Sequence, residues 1–363
     1  MAQYIIGWKH LPTWEVPLHF TPHTFITVLI PARNEAENIT SCLNSIFEQH
    51  YPKSLFEVIV LDDYSTDSTA HIVQSFQYPN LKVLSLSDFL KENETQSYKK
   101  KAIEIGIAHA KSSLIVTTDA DCVVPENWLA LIASFYELKK FKFIAAPVNF
   151  YNEKNTLERF QSLDFMGMMG IAGGGIQRRF MRMCNGANLA YEKQVFYEVN
   201  GFEGINHLAS GDDMLLMQKV AAKYPQSIGY LKNSAATVLT HAKPDWRSFL
   251  NQRIRWSTKS SSYRERLVTL ILALVFFFCV NLVISLLLLP FTQLQGFYLL
   301  MLGLMTKAVM DFIFLYQMSH FFNRTQLMRY FVPSFFLHII YISVVGFLAT
   351  TTKKYEWKGR TVQ

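Results

Sequence analysis

Phe25-Ile-Thr-Val-Leu-Ile-Pro-Ala-Arg-Asn-Glu35 and Phe56-Glu-Val-Ile-Val-Leu-Asp-Asp63 are the stretches that decide the fold. Each is a short run of β-branched and aliphatic residues that stops abruptly at polar ones, as expected of a buried strand opening into a loop. Between them, Ala36 to Gln49 carries helical periodicity. The alternation continues with a helix over Ser68 to Phe76 and a strand over Leu81 to Leu86. A helix over Lys101 to Lys111, a strand over Ser113 to Thr118, a helix over Glu126 to Lys139 and a strand over Phe143 to Phe150 follow. Strands and helices in this order predict an open, mostly parallel α/β sheet. Ligands of such sheets gather beyond the carboxyl ends of the strands, so the residues just after each apolar run carry the chemistry.

Those residues are acidic. Asp62 and Asp63 follow the second strand, and Asp119 and Asp121 follow the fourth in Thr-Thr-Asp-Ala-Asp. Alternate residues of an extended segment point the same way, so Asp119 and Asp121 can face one hard divalent cation that also bridges phosphate oxygens. Asp67 reads as a turn or helix-cap residue. An acidic residue after the second strand also occurs in nicotinamide-binding folds, but no glycine lies between Gly7 and Gly106. The first strand-to-helix turn is therefore neither a glycine-rich pyrophosphate loop nor a Walker loop. Gly173 to Gly175 follows no clear strand and reads as a flexible loop. Cys42, Cys122, Cys184 and Cys279 are scattered, which gives neither a disulfide framework nor metal-ligand spacing.

Composition divides the chain. Half of its 363 residues are hydrophobic and 17% are charged, against roughly 25% in an average soluble domain. Leu267 to Pro290, Gly296 to Gln317 and Tyr330 to Thr350 each reach membrane length. Lys307 and Asp311, four residues apart in the second, can pair on one helix face. Pro333 makes the third segment the one most open to a re-entrant or interfacial course. Residues 241–266 hold seven Lys/Arg against two Asp/Glu, so the chain's net charge of +7 points to anionic lipid rather than nucleic acid. Four regions result: an interfacial segment at 1–23 that lies on the membrane through Trp8 and Trp14, a cytoplasmic α/β domain at 24–265, about three apolar helices at 266–350, and a basic tail at 351–363. The expected setting is a plasma or inner membrane, multi-pass. The side on which the tail emerges stays open.

The order of motifs resembles family 2 glycosyltransferases, the inverting, nucleotide-sugar-dependent enzymes of GT-A fold. Ile30 to Glu35 is similar to the family's opening nucleotide motif, and Val60 to Asp67 to its second. Thr118 to Asp121 resembles the Asp-x-Asp metal motif, Asn185 to Asn188 the acceptor-side loop, and Ser210 to Asp213 the segment ending in the general base. Gln252-Arg-Ile-Arg-Trp256 is similar to the Gln-x-x-Arg-Trp signature of membrane-bound members. Tyr64 stands where the second motif usually has glycine, and the glycine before the lysine matched by Lys101 is missing.

The resemblance implies a membrane-anchored, metal-dependent hexosyltransferase. Its expected substrates are a nucleoside-diphosphate sugar, expected to be a UDP-sugar, and a lipid or membrane-associated glycan. Pro31, Arg33, Glu35, Asp62, Asp63, Lys101 and Asp119 would bind the nucleotide, with Asp63 on a uracil-type base. Asp121 and Asp119 would hold Mg²⁺ or Mn²⁺. Asp213, with Asp212 as the alternative, would take the acceptor proton. Asn188, Gln252, Arg253, Arg255 and Trp256 would meet the diphosphate or the acceptor. A processive polysaccharide synthase is the alternative activity, and an inactive scaffold or lipid carrier the alternative class.

Overall fold

The computed structural model describes every residue except 92–94, 96, 181, 209, 259–265, 352–354, 358, 359 and 363. Helix α1 (Ala2–His10) precedes β1 (Ile26–Ala32), α2 (Ile39–Phe47), β2 (Phe56–Asp62), α3 (Thr69–Ser75), β3 (Leu81–Ser85), α4 (Tyr98–His109), β4 (Leu114–Thr117) and α5 (Trp128–Lys139). Next come β5 (Phe143–Ala145), β6 (Val148–Phe150), α6 (Thr156–Arg178), β7 (Leu189–Glu192), α7 (Lys193–Glu198), α8 (Met214–Lys223), β8 (Ile228–Tyr230), β9 (Val238–Thr240) and α9 (Trp246–Thr258). Helices α10 (Arg266–Leu287), α11 (Gln293–Phe321) and α12 (Phe331–Thr351) follow, then a short hairpin of β10 (Tyr355–Trp357) and β11 (Arg360–Val362). The tail's Lys353, Lys354 and Lys358 lie outside the described residues.

Seven strands form one sheet in the order β3-β2-β1-β4-β7-β5-β8. It is parallel except for β7, which runs against both β4 and β5. The continuous apolar runs of β1 and β2 suit central strands covered on both faces: Val28, Leu29, Ile30, Ile59 and Leu61 are fully buried. Their register sets Ala32 level with Asp62, so both strands discharge their loops at one edge. Because β7 is antiparallel, its leading loop, 185–188, reaches that same edge.

The expected strand over Phe143 to Phe150 is two strands. Pro147 has no N–H to continue a ladder, and the chain there leaves the main sheet so that β6 pairs with β9 instead. Helix α4 begins at Tyr98, three residues before the expected start.

Gly173 to Gly175 is not a loop. It lies within the 23-residue helix α6, and its lack of side chains permits close packing. A Cβ on Gly7 of α1 would sit 2.3 Å from the Gly174 carbonyl oxygen, and one on Gly174 would sit 2.6 Å from that of Tyr4. The two helices thus meet backbone to backbone. This contact also sets Trp8 and Trp14, the expected membrane anchors, against the protein itself. Trp8 is buried, edge-on to Tyr230 and Phe321, and the Trp14 indole donates to the Ser134 hydroxyl at 3.0 Å. Lys232 closes the arrangement by donating to the Trp8 and Leu11 carbonyls.

Among the described residues, three helices, over Arg266–Leu287, Leu294–Phe321 and Thr325–Ala349, are long and apolar enough to cross a membrane. Pro333 falls in the first turn of α12, where its missing N–H breaks no helical bond, and the helix runs on unbroken. Lys307 and Asp311 pair as their spacing predicts. These helices are continuous with the α/β domain. Phe314 and Met318 of α11 fill the space left by Gly170 of α6, and Tyr341 of α12 meets Phe160 of α6 edge-on.

Gly7→Ala should therefore lower stability by about 1–3 kcal/mol, because its methyl meets rigid backbone. Gly170→Ala, whose methyl meets the movable end of Met318, should lose less. Thermal unfolding of both variants in detergent checks the ranking.

Candidate active site

A cavity of about 200 Å³ opens at the carboxyl edge of the sheet. Pro31, Arg33 and Glu35 reach it from the loop after β1, Asp63 from that after β2, and Asp119, Asp121 and Cys122 from that after β4. Gly186 and Ala187 line it ahead of β7, Asp212 and Asp213 ahead of α8, and Gln252, Arg255 and Trp256 from α9. Residues more than 200 positions apart thus share one chamber.

Asp63 is almost fully buried, and Arg33 holds its loop in place by donating to the carbonyls of Asp63 (2.7 Å) and Tyr64 (2.9 Å). Tyr64, at the usual glycine position, takes φ +50°, a left-handed conformation that costs a non-glycine residue about 1–2 kcal/mol. Its hydroxyl donates to the Leu90 carbonyl and its ring meets Tyr98 edge-on, so tertiary contacts maintain the turn that glycine would adopt freely. Asp67 accepts from the backbone N–H of Thr69, two residues on, which closes a local turn ahead of α3, and from that of Ala36.

The three consecutive lysines of α4 diverge, because successive helical side chains point about 100° apart. Lys99 enters the cavity, with Nζ 2.6 Å from Asp119 Oδ1 and 3.3 Å from Asp212 Oδ2. Burial alone would lower the pKa of this ammonium, but Asp119 and Asp212 outweigh burial and raise it above the ordinary lysine value. Lys100 is buried and donates to the carbonyls of Ile205 (2.7 Å) and Ser210 (2.8 Å), which ties down the segment leading to Asp212. Lys101, the residue expected at the nucleotide, instead pairs with Glu104 on the outer face. The earlier start of α4 accounts for the change.

Three further expectations are corrected. Asn188 is fully buried, donating to the carbonyls of Pro147 and Ala236 and accepting from the Trp128 indole, so it braces the junction of β5 and β6. Arg253 is buried away from the cavity, with Nη2 3.0 Å from Asp164 Oδ2. Asp62 is buried at the end of β2 beneath Asp63 and lines no part of the cavity.

Asp213 caps α8. Its Oδ1 accepts from the Met214 N–H at 2.6 Å and its Oδ2 from the Gly186 N–H at 3.2 Å. Asp212 faces Lys99. Carboxylate oxygens of Asp119 and Asp121 and the Cys122 thiol lie within 4.8 Å of one another, close enough to share a divalent ion. The two carboxylates suit Mg²⁺ or Mn²⁺, although Lys99 already engages one oxygen of Asp119. Scattered cysteine spacing gave no sign of Cys122. Burial, with Asp121 and Asp119 beside it, holds its thiol pKa well above the ordinary value. His241, also absent from the sequence reading, lines the cavity stacked on Tyr151.

Lys99→Met should leave Asp119 and Asp212 uncompensated and lower stability by about 1–3 kcal/mol, with added Mn²⁺ recovering part of the loss. Lys101→Ala should change stability by no more than about 0.5 kcal/mol. Melting curves with and without Mn²⁺ test both.

The model of glycosyl transferase family 2 matches residues 27–199, and that of glycosyl transferase family group 2 matches residues 114–349. Glycosyltransferase AglE of Haloferax volcanii is 32% identical over 194 residues, covering 52% of this chain and 59% of that protein. The 4,4'-diaponeurosporenoate glycosyltransferase of Staphylococcus aureus is 26% identical over 197 residues, covering 52% and 50%. The chain thus spans between half and three fifths of these relatives. Among solved structures, the mannosyltransferase PcManGT from Pyrobaculum calidifontis, in complex with GDP-Man and Mn²⁺, aligns over 92% of both chains with a TM-score of 0.57 and 19% identity, a likeness of fold. With more than half of its length matched by one family model, around a site at the sheet edge, the chain belongs to glycosyl transferase family group 2.

Proposed function

We propose that this protein is a membrane-anchored, inverting hexosyltransferase that moves a sugar from a nucleoside-diphosphate donor, expected to be a UDP-sugar, onto a lipid hydroxyl. The observation that carries this reading is the placement of α9. Gln252, Arg255 and Trp256 face the cavity, while Phe249 of the same helix packs edge-on against Tyr341 of the apolar helix α12. One wall of the site therefore rests directly on a helix apolar enough to lie in a bilayer. A soluble acceptor would need no such placement.

The proposed roles follow from the geometry. Asp63 meets the base at the end of β2. Asp119 and Asp121 would hold a divalent cation, which when bound neutralises charge on the departing diphosphate. Lys99 and Arg255 add fixed positive charge near the phosphates. The acceptor oxygen attacks the anomeric carbon as its proton passes to Asp213, and the bond from that carbon to the diphosphate oxygen breaks. Asp213 is the proposed base, with Asp212, which Lys99 engages, as the alternative. Trp256 offers a flat face to the acceptor.

Purified full-length protein in lipid should convert a lipid acceptor when supplied with a panel of UDP- and GDP-sugars, each product carrying one added sugar by mass. A ladder of products would instead mark a processive synthase, and the absence of any donor turnover an inactive scaffold. Asp213→Asn should lose turnover by about 10²- to 10⁴-fold while nucleotide affinity stays near wild type. Asp121→Ala should lose Mn²⁺-dependent nucleotide binding as well as turnover. Full activity in chelator would overturn the cation's role.

A further inference from the structure

Away from the catalytic chamber, α6, α9 and α12 converge on a buried polar cluster. Asp164 of α6 and Arg253 of α9 have side chains only 6% and 4% exposed, and their Oδ2 and Nη2 lie 3.0 Å apart. The Tyr341 hydroxyl of α12 donates to the same carboxylate, 3.1 Å from Oδ1 and 3.2 Å from Oδ2. His338 Nε2, one turn earlier on α12, lies 3.9 Å from Oδ1. Burying a charged pair is weak evidence for stability, because desolvation offsets most of the attraction and apolar residues of similar volume often serve as well. The cluster therefore calls for a reason other than holding the helices together.

Its neighbours along the chain supply one. The Arg253 guanidinium sits 4.5 Å from the centroid of the Trp256 ring, one turn later on α9. Phe165, directly after Asp164, lines the catalytic cavity, lies 6.1 Å from the Trp256 ring and stacks on Phe150 at 4.6 Å. Tyr341 thus contacts Asp164, Asp164 contacts Arg253, and Arg253 contacts Trp256, and the last residue faces the cavity. The three links differ in kind: Tyr341 donates a hydrogen bond to a buried carboxylate, where such a bond is worth more than one between neutral groups, Asp164 and Arg253 meet as a buried ion pair, and the Arg253 guanidinium lies over the half-buried Trp256 ring.

We propose that Asp164, Arg253 and Tyr341 are positioning residues that couple the third apolar helix to the Trp256 wall of the active site. Under this arrangement the placement of α12 sets the angle of the Trp256 ring and hence the capture of acceptor, while the donor side, built on β1, β2 and β4, is unaffected. The assignment of Trp256 to the acceptor rests on the proposed function; the mechanical link from Tyr341 to Trp256 does not.

The test uses full-length protein labelled with 5-fluorotryptophan in lipid nanodiscs. The six tryptophan resonances are observed by ¹⁹F NMR, and that of Trp256 is assigned from Trp256→Phe. Tyr341→Phe removes one hydroxyl and keeps the ring packing, so the fold should survive. The Trp256 resonance should shift or broaden while those of Trp8 and Trp128 stay in place. Affinity for nucleoside diphosphate should stay within about twofold, and acceptor kcat/KM should fall about 10- to 150-fold, as for a lost hydrogen bond to a charged group. Asp164→Asn paired with Arg253→Met, which removes both charges together, should reproduce the shift of the resonance. An unmoved Trp256 resonance in both variants would overturn the coupling. If the wild type transfers sugar to no lipid, the proposed acceptor class is wrong, yet the ¹⁹F spectrum still decides the coupling.

Discussion

The close approach allowed by the glycines of α6 is the constraint on which the rest of the architecture depends. With Gly174 against Gly7 on one side and Gly170 against Phe314 and Met318 on another, α6 meets both the N-terminal helix and an apolar helix at short range. Its Phe165 meanwhile faces the cavity. A helix of larger residues would push these partners apart and open the chamber wall. Tight packing of this kind behaves as a rigid connector, because native interiors have little free volume to absorb displacement. Helix α11 is thus built into the same core as the central sheet.

Much of the site was legible before any coordinates. The Asp-Asp after β2, the Asp-x-Asp after β4 and the acidic pair before α8 each follow or precede a recognisable element, and parallel-sheet geometry brings such positions to one edge. Arg33, Glu35, Gln252, Arg255 and Trp256 also line the cavity as their motifs imply. The errors have physical causes. Lys101 reads as the residue that precedes a helix, but α4 starts three residues earlier, and three residues turn a helix through most of a revolution, so Lys99 enters the cavity instead. Helix boundaries are the least certain part of any pattern reading.

Arg253 and Asn188 failed for a different reason. Each lies inside a recognisable motif, and each is buried by partners distant in sequence: Asp164 for Arg253, Trp128 and Ala236 for Asn188. Local pattern carries no information about such partners. The glycine run shows the converse error. Three glycines lower helix propensity enough to suggest a loop, but tertiary contacts that only glycine permits outweigh that local cost.

The charge balance of the chamber bears on how its ligands enter. Glu35, Asp63, Asp119, Asp121, Asp212 and Asp213 line it with six carboxylates, against four cationic side chains from Arg33, Lys99, Lys243 and Arg255. Arg33 is committed to the carbonyls of the Asp63 loop and Lys99 to Asp119 and Asp212. The chain as a whole carries a net charge of +7, so the acidic excess is a local property of the sheet edge. A nucleoside diphosphate is itself an anion and would be repelled from such a wall in a medium of reduced dielectric. Under the proposed function, Asp119 and Asp121 would hold a divalent cation that offsets this repulsion. The acidic cluster that opposes the nucleotide on its own would then be the feature that makes its binding depend on a cation.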